Sequence, residues 1–183
     1  MSTMPRPDGT PLWQHASALA ALAHHGQIRK DGRTPYFSHP VRVTLTVAAV
    51  FGITDEVILT AALLHDVIED TLVDYDDLLD GFGSEIADIV SALSKDPRCP
   101  EPQREKSYDE QLARGPWQAR LIKLADVYDN MLDCNDDNAR RRLIKKAQRA
   151  VLLTESDVDL EHSRKIVQNA IAEIEARIGR TMG

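Results

Sequence analysis

Apolar residues recur at helical spacing along almost the whole chain, and no segment alternates in the way that is typical of a strand. We therefore predict an all-α fold, a single helical bundle of about eight or nine helices. The first of these helices has Ala16, Leu19, Ala20 and Ala23 on one face. The pattern predicts helices at about 12–27, 38–50, 54–70, 74–80, 84–94, 103–113, 117–132, 139–153 and 157–178.

Glycine, proline and capping residues mark the predicted helix boundaries. The segments RKDGRTPY (29–36), KDPRCPEP (95–102) and CNDDN (134–138) are expected to be breaks, since glycine and proline interrupt helices. Ser38 is expected to cap the second helix and Thr54 the third, because short hydroxyl side chains can accept hydrogen bonds from the first turn.

The third predicted helix is apolar on nearly every side and should therefore be central. It nevertheless ends in four ionisable residues, with Glu69 four positions after His65 and Asp70 four positions after Asp66. Each pair shares a face of a helix. Burying an uncompensated charge costs several kcal/mol, so either a metal ion or a set of internal partners must offset that cost.

Two further ionisable residues resemble this group of four, because each lies at one end of an apolar segment. His39 begins the second predicted helix, and Asp126 follows the apolar stretch LIKLA. Together with His65 and Asp66 they form a set of two imidazoles and two carboxylates, which suits manganese, iron or zinc with open coordination positions. The alternative is that His39 is a capping or core histidine, that His65 and Asp66 form a hydrogen-bonded core pair, and that Asp126 pairs with a lysine or arginine.

Length, composition and charge narrow the choice of partners. A chain of 183 residues with 43% hydrophobic and 28% charged residues fits one domain, with its motifs at about 12–135 and additional helices at about 139–178. No apolar stretch is long enough for a bilayer, and the N-terminus does not resemble a secretory signal, so we expect a cytoplasmic location, two free cysteines and no membrane partner. The net charge of −7 argues against nucleic acid but permits a small anionic substrate.

Four segments together resemble a known family. HHGQIRKDGRTPYFSHPVRV (24–43), AALLHDVIEDT (61–71), FGSEIADIVSALSK (82–95) and IKLADVYDNM (122–131) are similar to the motifs of the RelA/SpoT hydrolase domain and its stand-alone small alarmone hydrolases. These proteins form part of the HD superfamily of metal-dependent phosphohydrolases. The similarity extends from about residue 15 to residue 135.

The resemblance implies a function and a role for each matching residue. The implied reaction is removal of the 3′-pyrophosphate from the guanosine alarmones ppGpp and pppGpp, with Mn²⁺ as the usual ion. By position, the metal ligands would be His39, His65, Asp66 and Asp126. Glu69 and Asp70 would be the catalytic carboxylates. The substrate-binding residues would be Arg29, Lys30, Lys123 and Asn130, and Lys95 and Arg104 are further candidates for cations near a leaving pyrophosphate.

Two departures from the family pattern leave the substrate open. Val127 stands where a basic residue is usual, and Asp129 stands where a tyrosine or histidine is common; we assign both to the substrate side of the site. The alternatives are an HD phosphohydrolase acting on another phosphorylated nucleotide and a nucleotide-binding regulator without catalysis.

The last predicted helix has an apolar stripe along one face, formed by Val167, Ile171, Ile174 and Ile178. The simplest interpretation is that this stripe packs into the core of the domain. The alternative is that it forms a homodimer interface.

Overall fold

The computed structural model describes residues 9–96, 98–101 and 103–180, and its architecture is all-α, as predicted. No β-strand occurs in the described part of the chain; Ile28 and Pro35 form only an isolated bridge. The helices are α1 (Leu12–Ala23), α2 (Ser38–Leu45, extended by a π-helical turn Thr46–Val50), α3 (Glu56–Leu64), α4 (Val67–Asp70), α5 (Tyr75–Phe82), α6 (Ser84–Leu93), α7 (Gln103–Arg114), α8 (Trp117–Asp133), α9 (Asp137–Leu153) and α10 (Glu161–Arg180).

The third predicted helix is broken at the ionisable residues. α3 ends at Leu64 and the short α4 begins at Val67, with Asp66 between them at φ −104° and ψ −4°. His65 and Asp66 therefore come from the link between two helices.

Three predicted helix ends are also corrected. Asp55, not Thr54, caps α3, where its side chain accepts a hydrogen bond from Ile58 N at 3.0 Å. Ser38 is the first residue of α2 and provides no side-chain cap. α1 ends at Ala23 instead of continuing to residue 27. The predicted loop at 95–102 is non-helical where it is described; Pro97 and Pro102 lie outside the described residues.

α3 lies at the centre of the core, as its all-round apolar sequence predicts. It packs against α1, α2, α6 and α8, and its residues Ile58, Ala61, Ala62 and Leu64 are buried. α8 in turn packs against α9 and α10. The C-terminal stripe from Val167 to Ile178 is buried in this same core, which agrees with the simpler of the two expectations for it.

Two further predictions concern membrane-spanning helices and the state of the cysteines. None of the described helices has both the length and the apolar character needed to cross a bilayer. Cys99 and Cys134, both described, are free thiols, as predicted.

Candidate active site

Two buried imidazoles form the centre of the site. His39 comes from the first turn of α2 and His65 from the break after α3, and their ring centroids lie 5.1 Å apart. The Nδ1 atom of His39 hydrogen-bonds Asp129 Oδ2 at 2.7 Å, and Nδ1 of His65 hydrogen-bonds the Ala62 carbonyl oxygen at 2.9 Å. Because each acceptor is an oxygen, each Nδ1 carries a proton and each Nε2 faces the space between the rings.

Carboxylate oxygens converge on the same space. His39 Nε2 lies 3.2 Å from Asp126 Oδ1 and 3.5 Å from Asp66 Oδ2, and His65 Nε2 lies 3.0 Å from that same Asp66 oxygen. One potential ligand atom from each of His39, His65 and Asp126 lies within 4.8 Å of the other two. The structure thus brings together the four residues that the sequence singles out as a ligand set.

The electrostatics of this cluster favour positive charge. Burial alone would lower the pKa of His39, but Asp126 and Asp129 outweigh it and raise that pKa to about 9. Burial would raise the pKa of Asp126, yet Lys123 and His39 hold it well below its usual range. The pKa of Asp66 is likewise lowered, since the His65 ring outweighs the effect of burial.

A divalent metal ion fits these residues. His65 Nε2 is buried and has no hydrogen-bond partner among the described residues, although Asp66 Oδ2 is only 3.0 Å away. Protonated imidazoles could neutralise the carboxylates, but they would leave this nitrogen without a hydrogen bond of good geometry. Two imidazole nitrogens and two carboxylate oxygens are the donors that zinc, manganese and iron accept in open sites.

Glu69 and Asp70, on α4, line the same cleft as the cluster. Burial raises the pKa of each, and the neighbouring Asp66 charge adds to the shift at Asp70. Glu69 accepts a hydrogen bond from the Lys95 backbone N at 3.0 Å. The Tyr36 hydroxyl lies 2.7 Å from Asp66 Oδ2 and 3.0 Å from Asp70 Oδ2, so its single proton is shared between the cluster and α4.

The cleft above the cluster has a volume of about 440 Å³ and is rich in cationic side chains. Arg29 donates to Asn130 Oδ1 at 2.9 Å, and Lys123 donates to Asp126 Oδ2 at 2.6 Å. Asn130 also donates to Asp126 Oδ1. The structure places in the wall all four predicted substrate-binding residues, namely Arg29, Lys30, Lys123 and Asn130, together with Lys95.

The structure does not bring Arg104, another candidate for a cation near the leaving group, to this cleft. It is not in the wall of the cleft, and it pairs instead with Glu101 one turn away at 2.9 Å.

Three residues of the site were missed or misassigned in the sequence. Asp129 was assigned to the substrate side, but it is buried beneath the cluster and bonded to His39. Tyr36 was not singled out as a site residue, although its place inside the matched segment 24–43 could have indicated it. Lys146 comes from α9, beyond the matched motifs, and lines both the cleft and an adjoining cavity of about 390 Å³ that also contains Lys30 and Arg142.

Comparison with known proteins agrees with this geometry. Residues 16–174 match a family model described as HD domain. The chain is 39% identical over 115 residues to guanosine-3′,5′-bis(diphosphate) 3′-pyrophosphohydrolase MESH1 of Drosophila melanogaster, covering 62% of this chain and 64% of that protein. It is also 39% identical over 121 residues to the Homo sapiens protein of the same name, covering 66% and 68%. The alignments therefore span about two thirds of the length of these relatives.

A solved structure supports the same relationship. The fold superposes with a TM-score of 0.74 and 29% identity on a structure described as a metazoan ortholog of SpoT that hydrolyzes ppGpp, covering 90% of this chain and 96% of the other. The resemblance drawn from the four sequence motifs is thereby confirmed.

Proposed function

The chain belongs to the HD domain family, and from that premise we propose that it hydrolyses the 3′-pyrophosphate of the guanosine alarmones ppGpp and pppGpp. The reaction consumes one water, breaks the bond between the ribose 3′ oxygen and phosphorus, and gives GDP or GTP plus pyrophosphate. The observation that carries the proposal is the convergence of His39, His65, Asp66 and Asp126 at the floor of a cationic cleft. Relatives that bear the name of this activity support it.

We propose that these four side chains hold a divalent ion, most simply Mn²⁺. Such an ion, when bound, lowers the pKa of a coordinated water and supplies positive charge to a phosphate oxygen. The Nδ1 hydrogen bonds of His39 and His65 leave both Nε2 atoms available, and Lys123 holds Asp126 in place.

The chain itself supplies the acid–base groups and orients them. Glu69 and Asp70 are proposed to take a proton from the attacking water and to return one to the departing ribose oxygen. Burial raises the pKa of both, which brings them nearer to neutral pH than an ordinary carboxyl. The Lys95 backbone fixes Glu69, and the Tyr36 hydroxyl fixes Asp70 against Asp66.

The two adjoining cavities suit a nucleotide with two phosphate arms. Arg29, Lys30, Asn130 and Lys146 belong to the walls of both cavities. A substrate with its 3′ arm at the ligand cluster would therefore extend its nucleoside and 5′ phosphates past these side chains. Charge-assisted hydrogen bonds from them would hold a polyanion inside an otherwise acidic protein.

The test is incubation of the purified protein with ppGpp, either with Mn²⁺ or with EDTA, and separation of the products by ion exchange. We expect GDP and pyrophosphate only when metal is present. Asp126→Asn should abolish turnover, whereas Asp88→Asn, which alters a carboxylate on α6 that bonds Tyr75, should retain it.

Other outcomes of this assay would support one of the two alternative functions. Orthophosphate release, or turnover of another phosphorylated nucleotide while ppGpp survives, would favour the broader HD phosphohydrolase. Tight nucleotide binding without any turnover would favour the non-catalytic regulator. The cytoplasmic location and a homodimer stay predictions, which cell fractionation and sedimentation of the same protein would test.

A further inference from the structure

Asp129 is a buried carboxylate placed directly behind a proposed metal ligand. It lies on α8, three residues after Asp126, and only 6% of it is exposed. One oxygen, Oδ2, lies 2.7 Å from His39 Nδ1 and 3.0 Å from Arg42 Nη2, and the other accepts from Arg42 Nε at 2.7 Å. The carboxylate therefore uses both oxygens, and both partners come from α2.

Arg42 keeps Asp129 in its charged form. The Arg42 guanidinium donates to both oxygens of Asp129, at 2.7 and 3.0 Å, which is the bidentate geometry of a guanidinium paired with a carboxylate. Because a carboxylate has no proton to donate, the bond at 2.7 Å requires His39 to carry its proton on Nδ1. His39 Nε2 then faces Asp66 and Asp126 and is the nitrogen available to a bound cation.

We propose that Asp129, held by Arg42, is a positioning residue that fixes the tautomer and orientation of His39 and thereby sets the affinity of the site for its divalent ion. Partners of this kind commonly contribute 10- to 100-fold to metal affinity. The inference rests on the metal site of the proposed function and is independent of which nucleotide is hydrolysed.

A purely structural role is the competing explanation, because the Arg42–Asp129 pair also ties α2 to α8. The two roles predict different measurements. Loss of a tie between helices lowers the melting temperature of the metal-free protein, whereas loss of a tautomer restraint changes the dissociation constant of the metal in protein that is fully folded.

Asp129→Asn separates these roles, and Asp133→Asn is its matched control. In the variant an amide oxygen at the Oδ2 position can still accept from His39 Nδ1 and Arg42 Nη2, while the amide NH₂ faces Arg42 Nε. The acceptor is then uncharged, so it restrains the His39 tautomer less and makes Nε2 a weaker ligand. Asp133 lies one turn further along α8 and pairs at 2.9 Å with Arg42 and also with Arg29, but it has no contact with His39 among the described interactions. Both changes remove one negative charge beside Arg42.

The measurement is Mn²⁺ titration by calorimetry on metal-free protein, with folding checked by circular dichroism. We expect Asp129→Asn to weaken Mn²⁺ binding by about 10- to 100-fold and Asp133→Asn to change it by less than about threefold. With saturating Mn²⁺, turnover by Asp129→Asn should recover while the KM for the nucleotide stays at the wild-type value.

Each contrary outcome has a defined meaning. Unchanged Mn²⁺ affinity in folded Asp129→Asn, or an equal loss in Asp133→Asn, would overturn the inference alone. If Asp129→Asn does not fold, Arg42→Gln decides: weaker Mn²⁺ binding supports the inference and unchanged binding overturns it. Wild-type protein that binds no Mn²⁺ would remove the proposed function as well, whereas binding without ppGpp hydrolysis would remove only the proposed function.

Discussion

At the scale of single residues, the Tyr36 hydroxyl connects the proposed ligand Asp66 to the proposed catalytic Asp70. One proton serves two carboxylate oxygens, at 2.7 and 3.0 Å. Desolvation and the two nearby carboxylates raise the pKa of Tyr36, so the hydroxyl remains a donor at any physiological pH. Its position therefore affects the geometry of both groups at once.

Tyr36→Phe removes this hydroxyl while preserving the ring that packs against His24 and His39. A hydrogen bond to a charged group is worth about 1.5–3 kcal/mol, so we expect kcat for ppGpp to fall roughly 10- to 100-fold. The retained packing should keep the variant folded, although the Tm should fall because the same hydrogen bonds also stabilise the fold. Steady-state kinetics with saturating metal would measure this, and a kcat equal to that of the wild type would contradict it.

The raised pKa values of Glu69 and Asp70 predict the pH dependence of turnover. A base must be deprotonated, so kcat/KM should fall as the pH drops through the raised pKa, above the ordinary carboxyl range of about 4. Glu69→Gln should lower kcat by at least about 100-fold. The profile must be measured at saturating metal, since metal binding also releases protons. A wild-type rate in Glu69→Gln would exclude Glu69 as the base.

The sequence allows some residues of the site to be predicted and not others, for a physical reason. His39, His65, Asp66 and Asp126 are ionisable groups at the ends of apolar segments, where an unpaired charge is costly, so their sequence context alone sets them apart. Asp129 looks like one acidic residue among several in VYDNMLD. Its role depends on Arg42, which is 87 residues away and meets it only when α2 and α8 pack together.

At the scale of whole elements, α9 contributes to the cleft as well as to the core. One face of the helix packs Ile144, Ala147 and Val151 inward, while Lys146 reaches the wall of both cavities. Lys146 is largely exposed, but partial desolvation, followed by the nearby charge of Lys95, lowers its pKa. Bringing the positive charges of Lys95 and Lys146 close together is unfavourable unless an anion binds between them. A polyphosphate would supply that anion.

Lys146→Gln tests the contribution of α9, and Lys145→Gln is its neighbour control. Lys145 is exposed and lines neither of the two cavities. We expect the KM for ppGpp to rise about tenfold in Lys146→Gln, which corresponds to the loss of one charge-assisted contact, and to stay unchanged in Lys145→Gln. Equal effects in the two variants would indicate only a long-range change in charge, which added salt would screen.

Helix positions were predictable because their apolar periodicity is a local property of the sequence, whereas two features of the elements were not. The break between α3 and α4 could not be seen in the sequence, because Val67 and Ile68 continue the apolar pattern on its far side. The dual role of α9 was hidden because its apolar stripe is typical of a core helix, and a lysine beside such a stripe resembles a surface charge.

At the scale of the molecule, the proposed metal site joins elements that are distant in sequence. His39 comes from α2, His65 and Asp66 from the break after α3, and Asp126 from α8. α3 is the central helix, and α2 and α8 both pack on it and on each other. An ion held by these side chains would therefore tie together the core itself, so its removal should affect the stability of the whole fold.

Chelation should consequently lower the melting temperature. A ligand that binds only the native state stabilises it by about 2.7 kcal/mol at 100 times its dissociation constant. For a chain of this size, that corresponds to a loss of roughly 5–10 °C on complete metal removal. Differential scanning calorimetry with Mn²⁺ and with EDTA, after metal analysis of both samples, measures the shift. Asp88→Asn should keep the shift, and Asp126→Asn should lose it. An identical Tm in verified metal-free and metal-loaded protein would mean that the four groups satisfy one another and that no ion holds the three elements together.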